Sequence, residues 1–472
     1  MNRWTRNYLS ELIALSAQKI YLVGGSVRDL VAGKEDIKDI DVLMPAGSES
    51  VARAFANKIG GSFFFLDEER KITRVVKQTA QDTVQFDFTN FEGPDLYADL
   101  GRRDFTVNAM ALDLREFVAR NTVDGLIDLF HGKDDVSSRL IRVVKPEALD
   151  EDPLRLLRAV RLTATLGFTM EDKTAAHIRR RSRLVTAPAP ERLRDEIFLI
   201  LSEANAGVHL RLLDSLSLLS PIIPELEPLR GFAPGMYLAH DVLTHSMSTV
   251  GYVDSILVDL QNLAPAQAHK VLSHLGEPIE HLIPRKAVLR FACLLHDIAK
   301  PETLTNTEGR IRFHGHDNVG AEKVHFTCRR LRLSRSTEAL LVRLVKFHMR
   351  LFNLATAGGP SQGALYRYCR DLGDALPESL ILAQADARAT SEIMPKEKFM
   401  DTEKAMLATL DYYYVKFLST EAKPLVTGND LIRLGLQPGP RFREILEEIR
   451  ERQTEGVLTN RQEALDYLTQ MQ

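Results

Sequence analysis

Residues 38–44 read KDIDVLM, an apolar run interrupted at alternate positions by Asp39 and Asp41. Ile40, Val42, Leu43 and Met44 mark it as a strand entering a core, and residues i and i+2 of a strand project from the same face. Two carboxylates on one face repel each other, and each is costly to bury without a partner. Such a strand is sustained where positive charge sits between the acids. This demand restricts the fold more than any other part of the chain.

The stretch just before it, YLVGGSVRDLVAG, reads as a strand over 20–23, a Gly24-Gly25 turn and a helix beginning near Ser26. Such a turn presents free backbone N–H groups and the positive helix end to an anion, and glycine permits close approach of a phosphate. Arg28, in the first helical turn, adds a charged fork. An anion turn followed by two carboxylates suits Mg²⁺, which takes one or two carboxylates together with substrate phosphates. Two such ions activate an attacking hydroxyl and neutralise a leaving pyrophosphate. Asp39 and Asp41 are therefore candidate catalytic metal ligands, and Gly24, Gly25 and Arg28 candidate nucleotide contacts. Asp87, in the strand TVQFDFT, is a candidate third carboxylate.

At 472 residues the chain is too long for one core. Up to about residue 135 the pattern is mixed, with KIYLVGG and TVQFDFT as strands and VRDLVAG and SVARAFANKIG as helices closed by glycine. Beyond it, helical periodicity dominates. Pro188, Pro190 and the Pro-rich 221–234 mark joints, residues 357–363 read as a loop, and a Pro-Gly-Pro turn precedes an amphipathic helix near the end. The expected fold is α+β and multidomain: a head over 1–135, a neck and body over 136–235, a third domain over 236–395 and a helical tail over 396–472. No apolar run reaches membrane-spanning length, and the N-terminus lacks a signal-peptide profile. Cys293, Cys328 and Cys369 lie far apart, which fits a reduced, cytoplasmic setting. Net charge is −3, yet Arg139–Arg194 holds thirteen Lys/Arg against seven Asp/Glu, including RRRSR at 179–183. With RRLRLSR at 329–335, it offers contact with a polyanion, the alternative being solvated helix faces.

GGSVRD followed by DID, then RRDFTVNAMAL at 102–112 and EDPLRLLRAVRL at 151–162, resembles the class II tRNA nucleotidyltransferase and bacterial poly(A) polymerase family, within the DNA polymerase beta-like superfamily. The resemblance implies that Asp39 and Asp41 hold Mg²⁺ and that Gly25, Arg28 and Arg103 contact the nucleotide. It implies supporting roles for Asp104 and Asn108, and a tRNA 3′ end with CTP and/or ATP as partners. The tail segment VTGNDLIRLGLQPG resembles the family's C-terminal segments and is expected to grip tRNA.

On a helix, Asp152, Arg155 and Arg158 would fall at i, i+3 and i+6 along one slowly rotating face. Asp only accepts hydrogen bonds, whereas Arg donates several in a fixed fork. Cytosine and adenine both present an exocyclic amine beside an acceptor ring nitrogen, a pattern that an Asp–Arg pair satisfies and that guanine and uracil reverse. In the family the matching Asp and Arg form this template, which carries over to Asp152 and Arg155, with Arg158 and Arg161 near base or phosphates. Without the upstream motifs, an ordinary i,i+3 ion pair is the simpler reading.

A second constellation follows. His245, His296-Asp297 and Asp386 stand in the order His…His-Asp…Asp, a metal-ligand arrangement. It resembles the HD phosphohydrolase superfamily, in which a divalent metal activates water. His316 and His348 are placed to complete a second metal position. The resemblance implies a second divalent ion and a phosphoesterase activity that some relatives retain and others lack.

Only fourteen residues, 88–101, separate Asp87 from Arg102. Full CCA-adding relatives usually carry a longer flexible segment there, and relatives that add only the two cytidines resemble this shortened pattern. C addition is thus favoured over complete CCA addition. Poly(A) synthesis, a principal role as an HD phosphohydrolase, and non-catalytic RNA binding are the rival readings.

Overall fold

The computed structural model describes residues 3–79, 82–234, 240–308, 310–355, 359–390, 396–419 and 423–470. They form two compact units, one of residues 1–188 and 215–221, the other of 189–214 and 222–472. The expected domain joint at 235–236 lies outside the described residues, as does part of the expected loop at 357–363.

The first unit opens with α1 (Arg3–Ile13), after which β1 (Tyr21–Val23) passes without a loop into α2 (Gly24–Val31). There follow β2 (Asp39–Met44), α3 (Ser48–Ile59), β3 (Ser62–Asp67), β4 (Ile72–Gln78), β5 (Thr83–Asn90), α4 (Leu96–Leu100), β6 (Met110–Asp113), α5 (Leu114–Arg120), β7 (Leu126–Asp128) and α6 (Gly132–Ser137). The strands make one sheet in the order β3-β4-β5-β2-β1-β6-β7. Only the central β2–β5 pair is parallel. Two glycines end β1 and start the helix at once, so α2 begins at Gly24, two residues before the expected Ser26. β3, β4, β6 and β7 went unread because two are half-exposed and two are only three or four residues long.

Alternation along β2 is strict at its first half. Ile40, Val42 and Met44 are buried on one face, while Asp39 is exposed and Asp41 half-buried on the other. Beneath the apolar face, Phe55 of α3 meets Phe86 of β5 edge-on at 4.9 Å, and Tyr8 of α1 approaches the same ring at 6.2 Å. On the aspartate face, Leu43 is covered by Leu100 of α4 together with Tyr21, Val23 and Ala111. The sheet is thus pinned from below by aromatics and left open above only near the acids.

Beyond α6 the unit continues through α7 (Ala148–Glu151), α8 (Arg155–Leu166) and α9 (Asp172–Arg181). Here the helical reading of Asp152 is corrected. Asp152 is extended, with φ −139° and ψ 97°, and α8 starts only at Arg155. Pro153 is the reason, because a residue before proline is driven out of the α region. Asp152 Oδ1 instead accepts the Leu154 N–H at 3.2 Å.

In the second unit, α10 (Pro190–Ser202), α11 (Val242–Leu263), α12 (Arg285–Leu295), α13 (His316–Arg330), α14 (Arg335–Phe347) and α15 (Leu376–Thr390) form a helical core. α12 and α15 are buried along nearly their whole length, and their buried Arg285 and Glu378 are paired with each other. The last part has α16 (Gly428–Arg433), α17 (Pro440–Thr454) and α18 (Arg461–Gln470), packed on Leu431, Ile445, Ile449 and Leu468. A Thr427–Asp430 capping box opens α16, and Pro440 opens α17. In the basic runs, Arg181 is bonded to Asp150, Arg179 to the Ser215 carbonyl and Arg330 to Glu225. No helix among the described residues is long and apolar enough to cross a membrane.

Truncating the central aromatic, Phe86→Ala, is expected to cost about 3–5 kcal/mol of stability in the first unit. The urea midpoint of that unit's unfolding transition measures it, and an unshifted midpoint would contradict this packing.

Candidate active site and metal centre

Asp41 lies beside Val23 on one neighbouring strand and Asp87 on the other. Its carboxylate accepts the Gly25 backbone N–H. Burial raises its pKa, with Asp87 and Asp39 adding to the rise and Arg103 and the Gly25 N–H opposing it. Gly24, at φ +67°, makes the arrangement possible: a Cβ there would stand 2.5 Å from Asp41 Oδ2. The turn read as an anion cradle thus has the Gly25 N–H engaged by Asp41. Asp87 stands opposite Arg74, which grips both its oxygens at 2.6 and 2.7 Å.

A chain of polar contacts runs from α2 to α8 beside the acids. Arg28 donates to Asp29 at 3.0 Å and to Asn108 Oδ1 at 2.9 Å, and the Asn108 amide reaches Asp104 at 3.2 Å. Arg158 stands 3.0 Å from the other oxygen of Asp104. Burial works to raise the Asp104 pKa, but Arg158, the Phe105 N–H and Asn108 carry it below the usual carboxylate range. A cavity of about 440 Å³ opens here, lined by Gly24, Gly25, Asp41, Arg103, Asp104, Asn108, Arg155 and Arg158 among others. Asp39, Arg28, Asp152 and Arg161 do not line it. Arg155 also donates to the Ala148 carbonyl at 3.0 Å, which ties α8 back to α7.

The second unit brings the histidine set together. His245 Nε2 is 3.0 Å from Asp386 Oδ1, His296 Nε2 is 3.2 Å from Asp297 Oδ2, and all four residues are buried. Neither Nε2 makes a hydrogen bond. On the other side of Asp297, Oδ1 lies 3.5 Å from His316 Nε2 and 3.8 Å from His348 Nε2. Two ligand groups result, His245/His296/Asp386 and Asp297/His316/His348.

The backbone decides which ring nitrogen faces inward. Nδ1 of His296, His316 and His348 lies 2.7, 2.8 and 2.6 Å from the carbonyl three residues earlier. A carbonyl only accepts, so each Nδ1 carries the proton and each Nε2 offers its lone pair to the centre. His316 and His348 then present two lone pairs 3.1 Å apart, a spacing that a shared cation relieves. Burial lowers the His296 pKa, but Asp297 and Asp386 raise it, so in place of a metal the carboxylates would draw a proton onto His296. The centre demands positive charge, and its imidazole and carboxylate donors fit a divalent transition metal. A cavity of about 670 Å³ reaches it, with Phe313, Phe352 and Phe399 on its walls and Lys300 and Arg312 at its polar side.

Residues 20–142 match the poly A polymerase head domain family, 167–229 the probable RNA and SrmB-binding site of polymerase A, 242–391 the HD domain and 362–468 a tRNA nucleotidyltransferase domain 2 family. An A-adding tRNA nucleotidyltransferase of Deinococcus radiodurans is 35% identical over 453 residues, or 94% of this chain and 93% of that protein. The chain belongs to the tRNA nucleotidyltransferase family. Similar members of that family include CC-adding tRNA nucleotidyltransferases of Thermus thermophilus, 32% identical over 94% of this chain and 92% of that protein, and Geobacter sulfurreducens, 30% identical over 96% and 92%. A Thermotoga maritima CCA-adding enzyme complexed with tRNA has the same fold, with a TM-score of 0.65 and 19% identity over 100% of this chain and 97% of that one. The chain is therefore an RNA nucleotidyltransferase, and its head implies a divalent metal. Three crowded carboxylates, Asp41 with its neighbours Asp39 and Asp87, the last already paired with Arg74, fit such an ion.

Several cavity residues of this tRNA nucleotidyltransferase escaped the sequence reading: Arg70, Asn90, Glu92, Asp99 and Arg102. For Asp99 the signal was present, since it stands four residues before Arg103 and pairs with it. The others come from loops or strand ends that only tertiary structure brings near Asp41.

After exchange against Mn²⁺ or Ni²⁺ and removal of free metal, the wild-type chain is expected to retain metal in the second unit. His296→Ala should weaken that binding by about 10²-fold or more. Elemental analysis with a metal titration checks this, and equal retention by the variant would refute the centre.

Proposed function

We propose that this tRNA nucleotidyltransferase adds cytidine to tRNA 3′ ends, leaving the terminal adenosine to another enzyme. The observation that carries this reading is the fixed segment 88–101. Phe91 N–H donates to the Met44 carbonyl at 2.8 Å, Glu92 N–H to Asp99 at 2.9 Å, and Asp95 caps α4 through the Ala98 N–H. A pocket that takes first a pyrimidine and then a purine must change shape, and this wall has no slack chain with which to do so. The second reading, A addition, is favoured by the Deinococcus radiodurans relative, which is an A-adding enzyme.

In the proposed reaction the 3′-hydroxyl oxygen of tRNA bonds to the α-phosphorus of CTP, the α–β phosphoanhydride bond breaks, pyrophosphate departs and the hydroxyl proton passes to water. Mg²⁺ held by Asp39 and Asp41 would supply activation of the hydroxyl and charge neutralisation on the phosphates. Gly24 keeps the approach to Asp41 open, and Arg103 offers the phosphates a fork. Arg155 and Asp152 present donor and acceptor to the base edge, Asp152 from an extended peptide. Gly25, on the cavity wall, contacts the nucleotide and braces Asp41, and Arg28 acts from behind that wall through Asn108. Arg158 holds Asp104, and Arg161 continues the basic side of α8. Residues 1–135 serve as head, 136–235 as neck and body and 396–472 as tRNA-gripping tail, in the cytoplasm. In 236–395, His245, His296, Asp297 and Asp386 would hold a second divalent metal for phosphoester hydrolysis.

Incubation of tRNAs ending before C74, C75 and A76 with CTP or ATP separately tests the reading. C addition to the first two and none of A to the third is expected. Efficient A addition to the CC-ended tRNA would overturn C specificity, and long A tails on arbitrary RNA would indicate poly(A) synthesis. Asp41→Asn should lower kcat by about 10³-fold, the several kcal/mol that metal-assisted transfer supplies.

A further inference from the structure

We propose that Asp99 is a positioning residue for nucleotide transfer: one carboxylate aims Arg103 across the cavity and pins the short segment 91–99 in place. The inference rests on the reading that this cavity takes a nucleoside triphosphate. Asp99 is only 6% exposed, and its two oxygens serve different parts of the chain. Oδ1 accepts from Arg103 Nε at 3.3 Å and Nη2 at 3.2 Å, whereas Oδ2 accepts the Glu92 backbone N–H at 2.9 Å. A guanidinium is a rigid plane. Fixing its Nε–Nη2 edge therefore sets where Nη1 points. That nitrogen lies 3.5 Å from the Asn108 carbonyl and 3.3 Å from where a Gly24 Cβ would stand. It faces the gap in front of Asp41, whose charge Arg103 helps to stabilise. Any shift of the segment after β5 is consequently transmitted to Arg103 through a single carboxylate. The length of that segment and the aim of the nucleotide-facing arginine are one variable.

Asp99→Asn separates the two duties, since its amide oxygen still accepts from Glu92 while the charge facing Arg103 is lost. Its KM for the incorporated nucleotide is expected to rise about tenfold, because with the amide oxygen kept by Glu92 the amide NH2 faces Arg103, donor against donor, and the charge-assisted bonds are lost. The KM for tRNA and the melting temperature should stay at wild-type values. Asp99→Ala loses both bonds and should also raise incorporation of the wrong nucleotide. In an Arg103→Ala background, Asp99→Asn should add nothing further. An unchanged nucleotide KM in Asp99→Asn, or full additivity with Arg103→Ala, would overturn the proposal. Calorimetric titration with CTP and ATP accompanies the kinetics. A wild type that binds nucleotide without adding it defeats the proposed function alone, whereas equal affinity in wild type and Asp99→Asn defeats the role of Asp99.

Discussion

Asp41 can be buried among other acids because Gly24 has no side chain. Any Cβ at that position would collide with the carboxylate, and the positive φ there already excludes most residues. The Gly25 N–H occupies the space instead and stabilises the charge. From this contact the rest of the head follows. β1 must end where it does, α2 must start without a loop, and β2 must lie between β1 and β5 so that its acids face the gap. Arg74 and Arg103 then balance the carboxylates from opposite sides, and Asn108 and Asp104 tie the wall of the gap to α8.

The histidine centre solves a related problem by other means. There Asp297 is fully buried and Asp386 faces the end of a cavity. Four imidazoles and the half-buried Lys300, which is paired with Asp297, surround Asp297. Together with Asp386 they leave a site whose donors point inward and whose anions require a cation. One chain therefore carries two ways of sustaining crowded carboxylates: a glycine-lined cleft flanked by arginines in the head, and a ring of imidazoles at the end of a cavity in the second unit.

Much of this was legible in the sequence because it depends on spacing. The alternation of Asp39 and Asp41, the Gly-Gly break and the order of His245, His296, Asp297 and Asp386 all survive into the folded chain. What the sequence concealed depends on partners distant along it. Asp87 reads as a free carboxylate until Arg74 is seen opposite it on the next strand. Arg28 reads as an anion fork until Asn108, eighty residues away, is seen to accept from it. Asp152 was misread for a local reason, since the helical spacing to Arg155 outweighed the proline that forbids it. The short strands β6 and β7 carry too few residues for alternation to register.

In the histidine centre, carbonyls at i−3 orient three of the imidazoles, so main chain rather than neighbouring side chains sets the direction of the donor atoms. Such an arrangement is insulated from drift. Packing residues around His296, His316 and His348 can be exchanged over evolutionary time without turning the rings, provided the helices keep their course. Ligand geometry inherited from the backbone can thus outlast the particular chemistry it once served, and relatives with very different cavity walls can share one unaltered arrangement of inward-facing nitrogens.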